Sequence, residues 1–544
     1  MAPIVNLRRC LAASAITSLI VLRTSLSDIN TAAVVPLATY LLFWILYRSY
    51  IYPFHISPLR RIPTVPGSAL IGHAHIRLAN EFGVPEREWH NKYGLVIRYF
   101  LPFGVERLSI ADVDAIKEVT VRNVDSFVKP RRVVNWMKGI LGEKGVLLVD
   151  GAEHAKQRKA LAPAFSTSSI RDLEPIFWEK GLLLTSLLGE ELLQSGNKSA
   201  AVEVLGWLNR ATLDVISSAA FDYDVDALRH PETPLRKAYS AVFAFDLISC
   251  ITQGLRLYVD KSRYIPTKMN RAMENGSALI RNVAEDIVRQ KLDANNESSS
   301  KGIIPLVVRY NESLPEGSPD HLKFEDIRDQ IKTFLGAGHD TTATGVAWTV
   351  DLLSKHADVQ SKLRKEILYA IPSLTHNNAD SSLPGDLAKL HILDSLPYLA
   401  KVCRESLRLI PPIPTTICEA LTDSCLAGHC IPAGTNLYVT SNTINHLPYY
   451  WGQDADQFMP DRWDNLPEGW HPSAFQTFLE GPRGCIGRRF AEVEMKVFLC
   501  CLIARFQFEQ DDAWPDQEGR KMWRLVLRPR DGINVKIREA EHPS

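Results

Sequence analysis

The chain has 544 residues, 46% of them hydrophobic and 23% charged, and its 62 basic and 62 acidic side chains leave no net formal charge. That balance disfavours a nucleic-acid binder, which needs a basic excess to meet phosphates. Thirty glycines and 32 prolines are too few for a collagenous or low-complexity chain. Nine cysteines without a C-x-x-C pair argue against a disulfide scaffold and suit a reducing compartment with mostly buried thiols. Cys425, His429 and Cys430 lie close together, but no second ligand pair follows at zinc-finger spacing.

Residues 31–47 carry no charge, and their 17 positions reach the lower limit of about 17 for a spanning helix. Tyr40, Trp44, Tyr47, Tyr50 and Tyr52 supply interfacial aromatics, and Arg48, Arg60 and Arg61 favour a cytosolic location downstream. A shorter apolar run, residues 11–22 behind Arg8 and Arg9, reads as a signal-peptide core, an interfacial helix or the first leg of a hairpin. No small-x-small cleavage site follows closely, so residues 1–52 are expected to form an uncleaved membrane anchor. On that topology the sequons at Asn197, Asn275, Asn296 and Asn311 stay bare. Pro53, Pro58, Pro63 and Pro66 make residues 53–66 a stiff linker that cannot continue a helix. Residues 67–544 show no further shift in composition and read as one large domain.

Helical periodicity dominates 150–410, with strand-like pieces at 95–99, 109–110 and 437–440, so the expected fold class is mainly α with small β-sheets. Asp150-Gly151-Ala152-Glu153 predicts a capping box that opens a helix carrying His154 and Arg158. Residues 324–356 predict one helix of about 33 residues, interrupted at Gly336-Ala337-Gly338-His339-Asp340-Thr341-Thr342. Two glycines there cost about 1 kcal/mol each relative to alanine, so a local widening with some use is expected. Pro397, after Asp394 and Ser395, signals another helix start, and Glu405 and Arg408 share one face of that helix.

The most informative segment is Phe478-Leu479-Glu480-Gly481-Pro482-Arg483-Gly484-Cys485-Ile486-Gly487-Arg488-Arg489-Phe490-Ala491. Its glycines let the backbone pass close to a flat ligand and aim amide N–H groups at the Cys485 sulfur, while Phe478 covers that sulfur from water. The helical run that follows places a positive end near Cys485, which favours a thiolate.

This loop resembles the heme-binding loop of the cytochrome P450 family, F-x-x-G-x-R-x-C-x-G, at every fixed position: Phe478, Gly481, Arg483, Cys485 and Gly487. Leu479 departs from it, since relatives usually carry a small or polar residue there. Three further motifs resemble the family in the same order along the chain. Glu405-x-x-Arg408 matches its E-x-x-R, which by resemblance locks with Arg462 of Phe458-Met459-Pro460-Asp461-Arg462-Trp463. Ala337-Gly338-His339-Asp340-Thr341 matches A-G-x-D-T, and His154-x-x-x-Arg158 stands where W-x-x-x-R is usual.

The resemblance covers roughly residues 53–540 and implies a cytochrome P450 fold with Cys485 as the axial ligand of heme iron. Heme b is expected to be noncovalent, because Ala337 stands where relatives with ester-linked heme carry a glutamate. By the same resemblance, Arg483, Arg158, His154, Phe478 and Gly487 bind the heme, with Arg158 on a propionate. Asp340 and Thr341 form the proton-delivery pair, the carboxylate relaying protons from solvent. Cys418 occupies a position where relatives commonly place an arginine, so one propionate contact is expected to be missing. The apolar stretch near 413–417 suits a hydrophobic substrate.

The implied activity is monooxygenation, because a thiolate behind heme iron favours O–O cleavage. No G-x-G-x-x-G fingerprint follows a strand, so electrons must come from another protein. By resemblance this is NADPH-cytochrome P450 reductase at the endoplasmic reticulum membrane, docking near Lys156, Lys159, Arg488 and Arg489, with O2 as co-substrate. The F-x-P-D-R-W and G-R-R-F-A wording looks most like fungal microsomal members, which implies tailoring of a terpenoid, polyketide or alkaloid. A heme-thiolate isomerase or dehydratase, and a noncatalytic heme-binding protein, are the alternatives. The intact Asp340/Thr341 pair argues against the first, and turnover separates both.

Overall fold

A computed structural model describes residues 29–196, 199–242, 252, 256, 259–293, 300–375, 392–514, 521–523, 526–529 and 531–541. The apolar run at 11–22 and the sequons at Asn197 and Asn296 lie outside these residues. Helices dominate, as the periodicity implies. Those used below are α1 (Ile29–Leu46), α2 (Arg131–Leu141), α3 (Gly151–Leu161), α4 (Thr167–Gln194), α5 (Val204–Phe221), α6 (Phe324–Lys355), α7 (Pro397–Leu409) and α8 (Arg488–Arg505).

The described strands are β1 (Val96–Leu101), β2 (Val105–Ile110), β3 (Phe127–Val128), β4 (Ala200–Glu203), β5 (Thr416–Ala420), β6 (Ser424–Leu426), β7 (His429–Ile431), β8 (Asn436–Val439), β9 (Phe506–Gln510), β10 (Lys521–Trp523), β11 (Leu527–Pro529) and β12 (Asn534–Glu539). The largest sheet has the order β1-β2-β8-β5-β3; only β2 and β8 pair in parallel. All three expected strand segments lie at or beside β1, β2 and β8. A three-stranded sheet, β4-β12-β9, and the pairs β10-β11 and β6-β7 complete the β structure among the described residues.

The central helix α6 starts and ends within a residue of its sequence reading, but it runs unbroken. Gly336 and Gly338 serve close packing instead of an interruption. A Cβ on Gly336 would meet Leu141 Cδ2 at 2.5 Å, and one on Gly338 would meet Ile216 Cγ1 at 2.9 Å. The glycines therefore let α2 and α5 press against α6, and the packing gained offsets their poor helix propensity.

The amino-terminal expectation needs two corrections. Among the described residues no helix is long and apolar enough to cross a membrane, so the spanning segment expected at 31–47 is not shown. Nor is 53–66 a free spacer. The chain continues from α1 into a wide π-helical stretch, Tyr47–Ile56, which contains a buried Pro53. The Pro53 carbonyl accepts from Arg98 Nη1 at 3.0 Å, and Ser57 Oγ donates to Glu106 at 2.7 Å. Leu59 and Ile62 join the main apolar core. Prolines that forbid a regular helix are here absorbed by packing onto the β1–β2 hairpin.

Candidate functional site

Two charged networks flank the Cys485 loop. The first stands on α7. Arg408 donates from Nε and Nη2 to the two Glu405 oxygens at 2.9 and 2.8 Å, and Arg462 Nε reaches Glu405 Oε1 at 3.2 Å. Glu405 and Arg408 are fully buried. The remaining guanidinium hydrogens go to backbone carbonyls of Asn445, Ala455, Gln457, Trp451 and Asp454, and Arg462 also meets the Asp454 carboxylate at 2.6 Å. The three-residue clamp that the resemblance implied is present and closed.

The loop itself is shaped by backbone. Cys485 N–H donates to the Phe478 carbonyl at 2.8 Å, and Gly484 N–H to Gly481 O at 3.0 Å. Gly481 has φ +71°, and a Cβ there would collide with the Thr120 carbonyl. Leu479 also adopts a positive φ, 56°, which explains why a small residue would be the easier choice there. The Phe478 ring does not simply shield sulfur: the Arg488 guanidinium lies over it, 5.3 Å from its centroid. Gly487 caps the amino terminus of α8, and its amide N–H bonds the Cys485 sulfur.

Cys10 and Cys250 lie outside the described residues; among the described cysteines Cys403, Cys418, Cys500 and Cys501 are buried, whereas Cys425, Cys430 and Cys485 are exposed, a more even division than expected. Protein crowds the Cys485 sulfur enough that burial raises its pKa, against the opposing pull of the Gly487 amide and the Arg158 charge. The Gly487 amide favours the thiolate, as the helix end suggested, but these contacts alone do not offset burial. A cation bonded to sulfur would, since metal coordination removes the thiol proton outright.

The second network gathers around Asp150. This residue precedes α3 but makes no side-chain cap, and the expected capping box is absent. Its carboxylate instead meets Lys129 Nζ at 3.0 Å and Arg483 Nη2 at 2.9 Å, and it accepts the Lys129 N–H. Two cations compete successfully for a carboxylate that would otherwise serve uncharged amides. Arg483 also donates to the Phe127 carbonyl, and Arg158 Nη1 donates to Gly484 O at 2.7 Å. His154 is buried, and burial together with Lys129, Arg483 and Arg158 pushes its pKa down to about 4. It is neutral at pH 7 and has a ring N–H to give.

Lys129 was not singled out from the sequence. It follows β3, which pairs with β5, and so lies beside Cys418, whose thiol burial pushes up to about 11 against the pull of Arg483 and Lys129. A cation thus reaches the place where the arginine is missing. The signal was the gap at Cys418 itself, readable only once β3 and β5 are known to be neighbours.

Asp340 and Thr341 lie together on α6. Thr341 Oγ1 donates to Ala337 O at 2.8 Å, which leaves its oxygen lone pairs to accept. Asp340 is buried and ion-paired with Arg528 of β11, so its carboxylate does not stand open to solvent as expected. Burial pulls the Arg528 pKa down to about 10. Two more titratable groups that the sequence did not reveal flank this stretch. His339 is held near 4 by burial, and Glu494 of α8 sits buried by Thr342 with its carboxyl pushed well above the usual range by desolvation. The proposed docking patch is partly neutralised: Lys159 pairs with Asp320 at 2.6 Å and Arg488 with Glu492 at 2.8 Å.

An exposed thiol held by a glycine loop, beside three cations and one carboxylate, fits a flat metal complex that carries two acid groups. Comparison with known proteins agrees. The cytochrome P450 family model matches residues 63–537. Cytochrome P450 monooxygenase sphH of Aspergillus fumigatus is 33% identical, with 91% of each chain covered. Cytochrome P450 monooxygenase ALT8 of Alternaria alternata is 31% identical over 92% of each chain, and FUM15 of Gibberella moniliformis is 30% identical over 90% of each. The chain belongs to the cytochrome P450 family of heme-thiolate monooxygenases.

Proposed function

We propose that this chain inserts one oxygen atom from O2 into a hydrophobic small molecule, with Cys485 as the residue whose sulfur would hold the heme iron. The observation that carries the reading is the accessible Cys485 thiol whose loop is pinned by Arg158 to Gly484 O and by Arg483 to Asp150. Heme, when bound, supplies dioxygen activation with electron density pushed from the thiolate.

The chain's own residues do the rest. Gly487 N–H holds the sulfur in place, while Lys129, Arg158 and Arg483 are the cations that would hold the heme propionates, with neutral His154 as a further donor. Thr341 accepts a hydrogen bond on its oxygen while its own proton stays on Ala337 O. Asp340 supplies protons to that side, and Arg528 must release it for each exchange with solvent, so Arg528 sets how readily the carboxylate recharges. Electrons come from NADPH-cytochrome P450 reductase at the face carrying Lys156 and Arg489. Residues 1–52 anchor the chain to the endoplasmic reticulum membrane, and 53–66 pack onto the catalytic domain formed by 67–544. The substrate is a secondary metabolite of terpenoid, polyketide or alkaloid type, a reading that rests on the apolar 413–417 stretch and the fungal relatives.

The test is turnover by membranes containing only this chain and the reductase, with NADPH and O2. Oxidised product is expected, together with a thiolate-type spectrum of the reduced carbon monoxide complex. Cys485→Ser should abolish that spectrum and lower turnover by at least about a thousandfold, roughly 4 kcal/mol of barrier. A Ser variant with normal pigment and turnover would overturn the assignment.

A further inference from the structure

We propose that Cys425 and Cys430 form a reversible cross-strand disulfide, a thiol-oxidation site separate from the heme pocket. Strands β6 and β7 are joined by Ala427 and Gly428, both at positive φ, 48° and 76°. Positive φ at both central residues defines the type I′ turn, which closes the tightest hairpins. That turn fixes the register: Leu426 faces His429, Cys425 faces Cys430, and Ser424 faces Ile431.

The register puts the two sulfurs within bonding reach. Along an antiparallel ladder, hydrogen-bonded and non-hydrogen-bonded pairs alternate, and the pair flanking a two-residue turn is the hydrogen-bonded one. Cys425 and Cys430 are next, at a non-hydrogen-bonded position where Cα atoms stand about 4.5 Å apart. A disulfide spans Cα separations of about 4.4–6.8 Å, so the bond needs no slip of the strands.

Sidedness gives access. Leu426 and Ile431 are buried, whereas both cysteines are free and exposed. The two thiols share the solvent face, and His429, one position along the strand, lies on the other. That alternation separates the Cys-His-Cys triplet of the sequence, and no group of three metal-binding side chains occurs among the described residues.

The oxidant is a hydroperoxide. One thiol takes an oxygen atom from hydrogen peroxide, becoming a sulfenic acid and releasing one water. The second sulfur then attacks the first and displaces its hydroxyl as a second water. Two thiols lose two protons and two electrons, and one peroxide becomes two waters. A small dithiol reverses the bond by exchange, because exposed disulfides are the labile kind. Strand β7 packs against the Pro58–Arg61 turn, so the closed form staples the hairpin where the amino-terminal segment joins the sheet.

The experiment uses the full-length, heme-loaded chain, treated with hydrogen peroxide at low molar excess, alkylated and peptide-mapped. The peptide carrying both cysteines is expected to lose two hydrogens and both alkyl groups, and dithiothreitol should restore both. In Cys425→Ser and Cys430→Ser the remaining thiol should be trapped as a sulfenic acid by dimedone, with no internal link. The proposal falls if both thiols are still alkylated after peroxide at doses that oxidise the single-cysteine variants. It falls equally if each is driven separately to sulfinic acid, or if the link forms only between two chains. Mapping reads the hairpin directly, so loss of heme or turnover leaves the outcome legible.

Discussion

Two sets of charges, a buried one on α7 and a half-buried one around Asp150, differ in how they are balanced. At Glu405 one carboxylate faces two guanidinium groups, and the surplus is absorbed by the Asp454 carboxylate and five backbone carbonyls. Every strong donor there has an acceptor within the protein. At Asp150 one carboxylate faces Lys129 and Arg483, Arg158 stands nearby with a backbone carbonyl as partner, and His154 is kept neutral by burial and then by the surrounding positive charge. A closed network fixes the fold, whereas one left with excess positive charge is built for an anionic ligand. The distinction rests on charge count and on burial, since Glu405 and Arg408 are fully enclosed whereas Lys129, Asp150 and Arg483 stay partly open.

The sharpest break of this contrast is Glu405→Ala. It leaves Arg408 and Arg462 buried without their carboxylate and should cost about 3–5 kcal/mol, enough to remove most folded protein at growth temperature. Urea unfolding followed by circular dichroism checks it. A loss below about 1 kcal/mol would mean that the clamp is replaceable. In the other network, Lys129→Ala with Arg483→Ala should lower heme occupancy at least about tenfold, roughly 1.4 kcal/mol, while the heme-free fold stays within about 1 kcal/mol of the parent. Asp150→Asn should retain heme, since it removes the one group that competes for those cations. Heme per polypeptide, read by absorbance, separates the three variants.

Acidity sharpens the same comparison. His90, His154 and His339 each have a folded pKa near 4 against 6.5 in the open chain, with burial as the first cause. A depressed histidine pKa favours the neutral form in the fold. Its contribution is therefore complete above about pH 6.5 and is lost as the pH falls towards 4, on the order of 2–3 kcal/mol for each enclosed ring. His90 and His339 should behave alike with and without heme. His154 should not, because propionates offset Lys129, Arg158 and Arg483 and let its pKa rise. The pH 7 to pH 5 drop in urea midpoint should shrink in His154→Asn, and by more in the heme-free protein. Equal shrinkage in both forms would remove the propionate role from this network.

The difference between the networks also marks where sequence reading stopped. The clamp and the Cys485 loop lay in short motifs whose spacing carries their geometry, and the boundaries of α6 and the start of α7 followed from periodicity and Pro397. Lys129, Asp150 and Arg528 took their roles from partners brought together by tertiary pairing. Asp340 and Arg528 are 188 positions apart, and Arg483 lies still farther from Phe127. Gly336 and Gly338 read as an interruption because propensity shows their local cost, while the contacts with Leu141 and Ile216 that offset it come from distant helices. Pro53 read as a stop for the same reason: the packing of its carbonyl on Arg98 has no local signature.

The smallest expected effect tests whether the loop between the networks is strained by its one departure from the family pattern. Leu479 is partly buried and held at φ 56°, a left-handed conformation that costs a branched L-residue about 1–2 kcal/mol. Glycine removes that cost but adds about 0.5–1 kcal/mol of chain entropy to the unfolded state, so Leu479→Gly should gain up to about 1 kcal/mol. The gain should appear in the urea midpoint of both the heme-free and heme-loaded chains, because the φ angle is set by the turn from Phe478 to Gly481 and not by the charges on either side. A loss of stability would mean that the leucine side chain contributes more packing against the loop than its backbone forfeits, and the departure would then be a buried contact this chain depends on.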